Sequence, residues 1–265
     1  MNIKKQITKI LGPKLLRVSK KCFYRYQCPV CENYVKDFLS LPKEYYENEI
    51  RYDFKYKFDH LETLNHSNYR CPICYSNDRD RLYTLFLKDF FKSSDGRKYK
   101  LVDFGPSLGF SRWLKNQSNI IYRSADLYKD QVDDKVDITN MTVYDDSQFE
   151  IFICSHILEH VIDPKKALSE LYRITAKGGW GIIMVPLVKG LDDTQEDPSH
   201  TSDEERWKYY FQNDHLRLFG KVDFINKIEQ AGFEVDQLGI NYFGKTMIKT
   251  SAITESSILY IAKKN

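Results

Sequence analysis

From Tyr99 onward the chain alternates short apolar runs with segments of helical periodicity, and that alternation restricts the fold more than any other feature. Strands are expected at 99–104, 120–126, 149–154 and 180–186, with helices at 110–116 and 164–176 between them. The second of these helices is expected to close on Gly178-Gly179. A further helix over 221–231, ended by Gly232, leads into strands at 233–238 and 256–262. Parallel strands need long crossovers, and the helices supply them. The expected class is therefore α/β, with a mostly parallel sheet, helices on both faces and a C-terminal antiparallel hairpin. Residues 187–215 read as a polar loop, too long to be a simple connector.

The first strand runs into Val102-Asp103-Phe104-Gly105-Pro106-Ser107-Leu108-Gly109. Glycines at a strand-to-helix turn let the backbone approach a ligand, and the helix start offers free N–H groups. Asp126 closes the second strand about twenty residues later, where a carboxylate can accept both hydroxyls of a ribose. These residues point to a nucleotide-type ligand and leave NAD and other adenosine cofactors open.

Asp103-x-Gly105-x-Ser107-x-Gly109 resembles the acidic-x-Gly-x-Gly-x-Gly motif of class I S-adenosylmethionine-dependent methyltransferases, with serine in the middle glycine position. The segment from Phe149 to Val161, FEIFICSHILEHV, is similar to the fourth-strand segment of the type 11 branch of that superfamily. Leu171 to Trp180 is similar to the helix and Gly-Gly turn that precede its fifth strand. EDPSHT from Glu196 and DHLRLFG from Asp214 resemble a loop of bacterial methyltransferases with an N-terminal Cys-Pro-x-Cys module. The resemblance covers residues 25–265 and implies a Rossmann-like sheet that transfers methyl groups from S-adenosylmethionine. It implies that Asp103, Gly105, Ser107 and Gly109 serve the methionine end of the cofactor, Asp126 the ribose and Asp137 the adenine amino group. Ser155 and His156 would border the cofactor on the acceptor side. A side chain at Ser107 narrows the backbone approach.

Four of the six cysteines form two tight pairs, Cys28-Pro-Val-Cys31 and Cys71-Pro-Ile-Cys74. In a reducing compartment, paired thiolates suit a tetrahedral zinc ion better than a disulfide framework. Such a zinc is structural, because four cysteines leave no open position. The alternative is four reduced, unligated thiols. Between the pairs, Arg51 to Asp59 alternates charged and aromatic residues with period two, which predicts a strand with one aromatic face. Such a face either stacks on nucleic-acid bases or serves as core.

His156, Glu159 and His160 stand at i, i+3 and i+4, one face of a helical turn. Small-molecule O-methyltransferases of ubiquinone synthesis and RNA 3′-end 2′-O-methyltransferases carry Glu-x-x-Glu-His in this slot as ligands for a divalent ion. Here His156 replaces the first Glu, and Leu-Glu-His-Val also resembles relatives with no metal. The resemblance thus leaves two readings open: a second, divalent ion at His156, Glu159 and His160, or Glu159 and His160 fixing the loop by hydrogen bonds. His200 and His215 come from the long loop, so His156, His160, His200 and His215 are the candidates for removing a proton from the acceptor.

Length and charge bound the rest. At ~150 residues per domain, 265 residues make about two domains. We divide them as a basic segment 1–18, a zinc-ribbon-like module 19–78, a connecting helix 79–98 and a methyltransferase domain 99–265. Forty Lys and Arg against 37 Asp and Glu leave a net charge of +3, too near neutral for a chain that coats nucleic acid. No apolar run approaches the ~18–20 residues of a membrane span, and Lys9 and Lys14 interrupt any signal-peptide core. A cytoplasmic enzyme acting on a small molecule or glycan is expected. The rivals are an RNA methyltransferase that grips its substrate with the zinc module, and a degenerate domain acting as a scaffold.

Overall fold

The computed structural model describes residues 24–93 and 96–265. The basic segment expected at 1–18, together with Cys22 and Asp95, lies outside the described residues. Strands Tyr26–Gln27 (β1) and Tyr34–Val35 (β2) pair as an antiparallel ribbon, followed by helices Lys43–Arg51 (α1) and Asp78–Lys92 (α2). Then come Tyr99–Phe104 (β3), Leu108–Lys115 (α3), Ile120–Asp126 (β4), Asp134–Lys135 (β5) and Phe149–Ser155 (β6). Pro164–Ile174 (α4), Thr175–Met184 (β7), Asp203–Tyr210 (α5), Lys221–Gln230 (α6) and Glu234–Leu238 (β8) lead to the last elements. These are Ile240–Phe243 (α7), Lys245–Thr250 (α8) and Leu259–Lys263 (β9).

The main sheet has the order β5-β4-β3-β6-β7-β9-β8. The first five strands are parallel, and β9 lies antiparallel between β7 and β8, as the α/β expectation requires. The chain leaves β3 toward one edge through β4 and β5, then returns on the other side of β3 as β6. Connections that diverge in this way open a crevice at the carboxyl ends of the central strands. Leu101 and Val102 on β3 and Ile151 and Phe152 on β6 are fully buried, because helices cover both faces of a central parallel strand.

Several local expectations change. Helix α4 stops at Ile174, and Gly178-Gly179 lies inside β7, opposite a register shift between Phe149 and Ile151 of β6. The aromatic strand expected from Arg51 to Asp59 is absent. Arg51 ends α1, Asp53 is left-handed (φ 49°), and Phe58–His60 is a 3₁₀ turn. No neighbouring strand offers a ladder there; instead Phe54 and Phe58 both pack their rings on Phe211, at 5.1 and 5.3 Å. The two phenylalanines of that face are core, while Tyr52, stacked on Trp207, and Tyr56 stay half-buried. The long loop contains α5, whose start is a reciprocal cap between Ser202 and Glu205.

The segment before α2 does not build a core of its own. Leu41, Phe54, Phe58 and Leu61 pack with Val188, Tyr210, Phe211 and Leu218, and the cysteine-bearing ribbon packs on Ala252 and Trp113. One buried cation ties these parts together. The Arg81 guanidinium donates to the carbonyls of Asn68 (2.6 Å), Ser251 (2.8 Å), Tyr69 (2.9 Å) and Ala252 (3.0 Å), and lies 4.0 Å from the Phe38 ring centre. Arg81→Ala removes all four charge-assisted bonds and should cost ~3–5 kcal/mol in urea unfolding. A loss below about 1 kcal/mol would mean that this junction does not hold the fold.

Candidate active site

The carboxyl edge of the sheet opens into a cavity of about 1150 Å³. Its floor comes from the ends of β3, β4, β6 and β7, including Gly105, Asp126, Ser155, His156 and Met184. Asp137 and Thr139 form one end. Residues from the N-terminal segment (Leu41, Tyr45, Leu61, Tyr69) and from the far loop (Phe211, His215) form the other.

Each floor residue is held by local bonds. Gly105 has φ +67°, a conformation that suits glycine, and donates its N–H to the Ala125 carbonyl at 2.9 Å. Asp126 accepts the Tyr128 and Lys129 amides on one oxygen, at 2.8 and 2.9 Å. Partial burial works against its ionisation, but those N–H groups and the Lys129 ammonium hold its pKa below the usual carboxylate range. Asp137 accepts the amide and hydroxyl of Thr139 on one oxygen, both at 2.8 Å. Ser155 shares a 2.8 Å hydrogen bond with the Tyr83 hydroxyl.

Three residues of the glycine-turn motif lie elsewhere. Asp103 is buried in β3 beneath the cavity and accepts from the Tyr122 hydroxyl at 2.9 Å. The Ser107 hydroxyl donates to Asp80 at 3.0 Å, so its side chain is committed to α2 and does not line the cavity. A Cβ at Gly109 would meet the Cys74 carbonyl at 2.5 Å and the Ser76 amide at 2.9 Å. Glycine is needed there because a cysteine loop presses on the start of α3.

Among the histidines, His156, His160 and His215 border the cavity. His200 does not. It hydrogen-bonds the Tyr210 hydroxyl at 2.8 Å, stacks on Tyr209 and faces a separate small cleft with Tyr52 and Lys208. His156 adopts a left-handed backbone (φ 56°), strained for a residue with a side chain, and donates its N–H to the Met184 carbonyl. Burial lowers its pKa to about 4. Its Nδ1 lies 3.3 Å from Glu159 Oε1, without the alignment of a hydrogen bond. Glu159 is 1% exposed; burial opposes its charge, but the histidines around it hold its pKa at about 2. Glu159, His160 and His215 each bring one ligand atom within 4.8 Å of the others, and His156 is not part of that group.

The four paired cysteines also converge. Cys28 and Cys74 sulfurs lie 3.7 Å apart and Cys31 and Cys71 sulfurs 3.9 Å, with Ser76 Oγ 3.1 Å from Cys74 Sγ. A tetrahedral ion with ~2.3 Å bonds to sulfur spaces its ligands by about 3.8 Å. A disulfide would need ~2.05 Å.

Sequence reasoning missed Arg79. Its side chain lines the cavity from the first turn of α2, and its guanidinium makes no hydrogen bond or ion pair with the described residues. No sequence pattern marked it, since Asp78-Arg79-Asp80-Arg81 reads as an ordinary charged helix start.

The sequence profile of the methyltransferase domain family matches residues 75–238, more than half of the chain. The chain belongs to that family. It is a methyltransferase, and the family uses S-adenosylmethionine. Among solved structures, the CurJ carbon methyltransferase is similar over 69% of this chain, with 14% identity and a TM-score of 0.45; the match covers 53% of that protein, about half its length. A SAM-dependent methyltransferase from Archaeoglobus fulgidus is similar over 70% of this chain and 94% of its own, with 18% identity and a TM-score of 0.45. The YcgJ protein of Bacillus subtilis matches over 69% of this chain and 99% of its own, with 14% identity and a TM-score of 0.44. No curated protein sequence matches this methyltransferase. No helix among its described residues is long and apolar enough to cross a membrane.

Asp103 gives the site a pH signature. Burial raises its pKa to about 7, against the Tyr122 hydrogen bond, which lowers it. An unfolded aspartate loses its proton near ~3.9. The native carboxyl therefore contributes fully below that pH, and its contribution is lost as pH rises to about 7. Asp103→Asn removes the loss while keeping an acceptor for Tyr122. In urea unfolding, the stability of the variant relative to wild type should rise from pH 4 to 7; a difference that stays flat would show Asp103 already ionised.

Proposed function

We propose that the cavity binds S-adenosylmethionine along the carboxyl edge of the sheet and a small-molecule or glycan acceptor beside it. The observation that carries this reading is the conjunction of Gly105, Asp126, Asp137 and Ser155 in one cavity at the crossover of β3 and β6. The donor set fits the cofactor. Asp126 and Asp137 each keep one oxygen clear of backbone amides, suited to ribose hydroxyls and an adenine amino group. Gly105 leaves the turn open, and Arg79 supplies a cation for the methionine carboxylate. Asp103, Ser107 and Gly109 support the turn from behind it. When bound, the cofactor supplies a methyl group on a sulfonium, already activated for departure. The protein's task is then alignment and exclusion of water, with His156, at the end of β6 in the cavity lining, as the group that takes a proton from the acceptor.

A small acceptor suits the apolar and aromatic wall supplied by Leu41, Tyr45, Leu61, Tyr69 and Phe211. Of the four aromatic residues that could have stacked on RNA bases, Phe54 and Phe58 are buried and only Tyr52 and Tyr56 keep part of their surface exposed, which counts against the nucleic-acid reading. The commitment of Ser107 to Asp80 counts against the scaffold reading, since no hydroxyl obstructs the turn. We assign the four paired cysteines to one structural zinc ion in a zinc-ribbon-like module, the remainder of the chain from Tyr99 to the methyltransferase domain, and the protein to the reducing cytoplasm.

Two outcomes test this reading. In calorimetry, Asp126→Ala should weaken S-adenosylhomocysteine binding by ~1.5–3 kcal/mol for each hydroxyl bond lost, whereas Ser107→Gly should leave it within about threefold, well inside one bond's worth. Unchanged affinity in Asp126→Ala would put the cofactor elsewhere. The purified protein should also retain about one zinc ion per chain through dialysis against EDTA, and Cys71→Ser should lose it. Because Cys74 presses on Gly109, the zinc-free variant should bind the cofactor more weakly as well. A metal-free wild type that folds normally would remove the zinc assignment.

A further inference from the structure

The wall that the N-terminal segment gives to the cavity carries hydrogen-bond donors for which the protein supplies no acceptor. They are the hydroxyl of Tyr45 on α1, the hydroxyl of Tyr69 and the guanidinium of Arg79 on α2, all from half-buried side chains that line the cavity. None of these groups makes a hydrogen bond or ion pair with the described residues. Lys129, the other Lys or Arg side chain of the described lining, is paired with Asp126 at 3.5 Å. Arg79 is left as a cation without a counter-ion.

The donors are held in place by their neighbours. The Tyr45 ring lies against Trp207 and Phe211, each 6.3 Å away between ring centres. The Tyr69 carbonyl accepts from the buried Arg81 at 2.9 Å, and the Arg70 guanidinium lies 5.8 Å from the centre of the Tyr69 ring. Arg79 and Arg81 stand two residues apart near the start of α2, so one anchor serves both Tyr69 and Arg79. The charge of Arg79 is felt at both phenols and at His156. Burial raises the pKa of Tyr45 and Tyr69 while that charge opposes the rise; burial lowers the pKa of His156 and the same charge lowers it further. The carboxylates at this end of the cavity turn elsewhere: Asp214 faces His160 and Glu159 faces His156, each at 3.3 Å.

We propose that Tyr45, Tyr69 and one edge of the Arg79 guanidinium bind a phosphate group carried by the methyl acceptor. This names a recognition element of the acceptor and rests on the reading of the cavity as a methyl-transfer site. A guanidinium presents its N–H donors along more than one edge, so the cofactor's carboxylate can take one edge and leave another free. Two phenol hydroxyls beside the free edge complete a set of donors around one positive charge. A phosphate offers three outer oxygens to such a set, and a carboxylate only two. A wholly apolar acceptor would cover the same groups without replacing the water they lose, at a cost in desolvation. With its phosphate held on this wall, the acceptor extends toward His156, where its proton is taken.

The test titrates the full-length protein with inorganic phosphate in calorimetry, in phosphate-free buffer, with and without saturating S-adenosylhomocysteine. One saturable site per chain is expected under both conditions. Tyr45→Phe and Tyr69→Phe each remove one bond to an anion and should each weaken phosphate about 10–100-fold, leaving S-adenosylhomocysteine affinity within about threefold. Absence of saturable phosphate binding, or binding that both variants leave intact, would overturn the proposal. Acetate binding as tightly as phosphate would overturn it too, by assigning the site to a carboxylate. Competition then identifies the carrier. Displacement of phosphate by glycerol 3-phosphate supports a soluble monoester, and displacement only by vesicles containing phosphatidic acid supports a lipid headgroup; displacement by neither contradicts the proposal. A wild type that binds S-adenosylhomocysteine but not phosphate refutes the phosphate site alone, whereas one that binds phosphate but not S-adenosylhomocysteine upholds the site and refutes the cofactor reading.

Discussion

The first turn of α2 carries four consecutive charged residues, and each is committed to a different part of the molecule. Asp78 accepts the Asn65 amide, Arg79 reaches the cavity, Asp80 accepts the Ser107 hydroxyl, and Arg81 holds four backbone carbonyls. Asp78, Asp80 and Arg81 are buried. Two anions at the start of a helix are favoured by its free N–H groups, and the neighbouring arginines offset their burial. Asp80 also caps the helix reciprocally with Asn77. Through this turn the cysteine-bearing segment, the glycine turn after β3 and the end of the chain around Ser251 are registered against one another.

That junction changes how the motif after β3 is understood. A glycine-rich turn is usually credited to its ligand, yet only Gly105 of the motif faces the cavity. Gly109 yields space to a cysteine loop, Ser107 anchors to α2, and Asp103 braces Tyr122 under the floor. The serine that departs from the family pattern is thus a packing solution: its hydroxyl satisfies a buried carboxylate that a glycine would leave short of one donor. The cysteine loop and the cofactor turn are one mechanical unit, so disturbance of either reaches the other.

The mostly parallel sheet with its C-terminal antiparallel hairpin was legible because apolar periodicity and the alternation of strand and helix report directly on it; the order of the strands was not. The convergence of Cys28, Cys31, Cys71 and Cys74 was legible from spacing alone. Less legible was everything decided by tertiary partners. The period-two aromatics from Tyr52 to Phe58 read as a strand, but among the described residues no strand pairs with them; Phe54 and Phe58 pack on Phe211 and Tyr52 stacks on Trp207 instead. Helix α5 left a cap signal, Ser202-x-x-Glu205, inside what otherwise read as loop. Arg79 and the grouping of His215 with Glu159 and His160 had no local signal, because residues far apart in sequence meet there only after the sheet forms. His200 carried the same sequence signal as His215 but lies outside the main cavity, against Tyr209 and Tyr210.

The central claim is that the cavity above β3 and β6 holds the methyl donor. The direct measurement is a crystal structure of the protein soaked with S-adenosylhomocysteine. The account predicts difference density with the nucleoside between Asp126 and Asp137, the sulfur near Gly105 and Ser155, and the carboxylate at Arg79. Density at another site, or a clean cavity at saturating ligand, would contradict it.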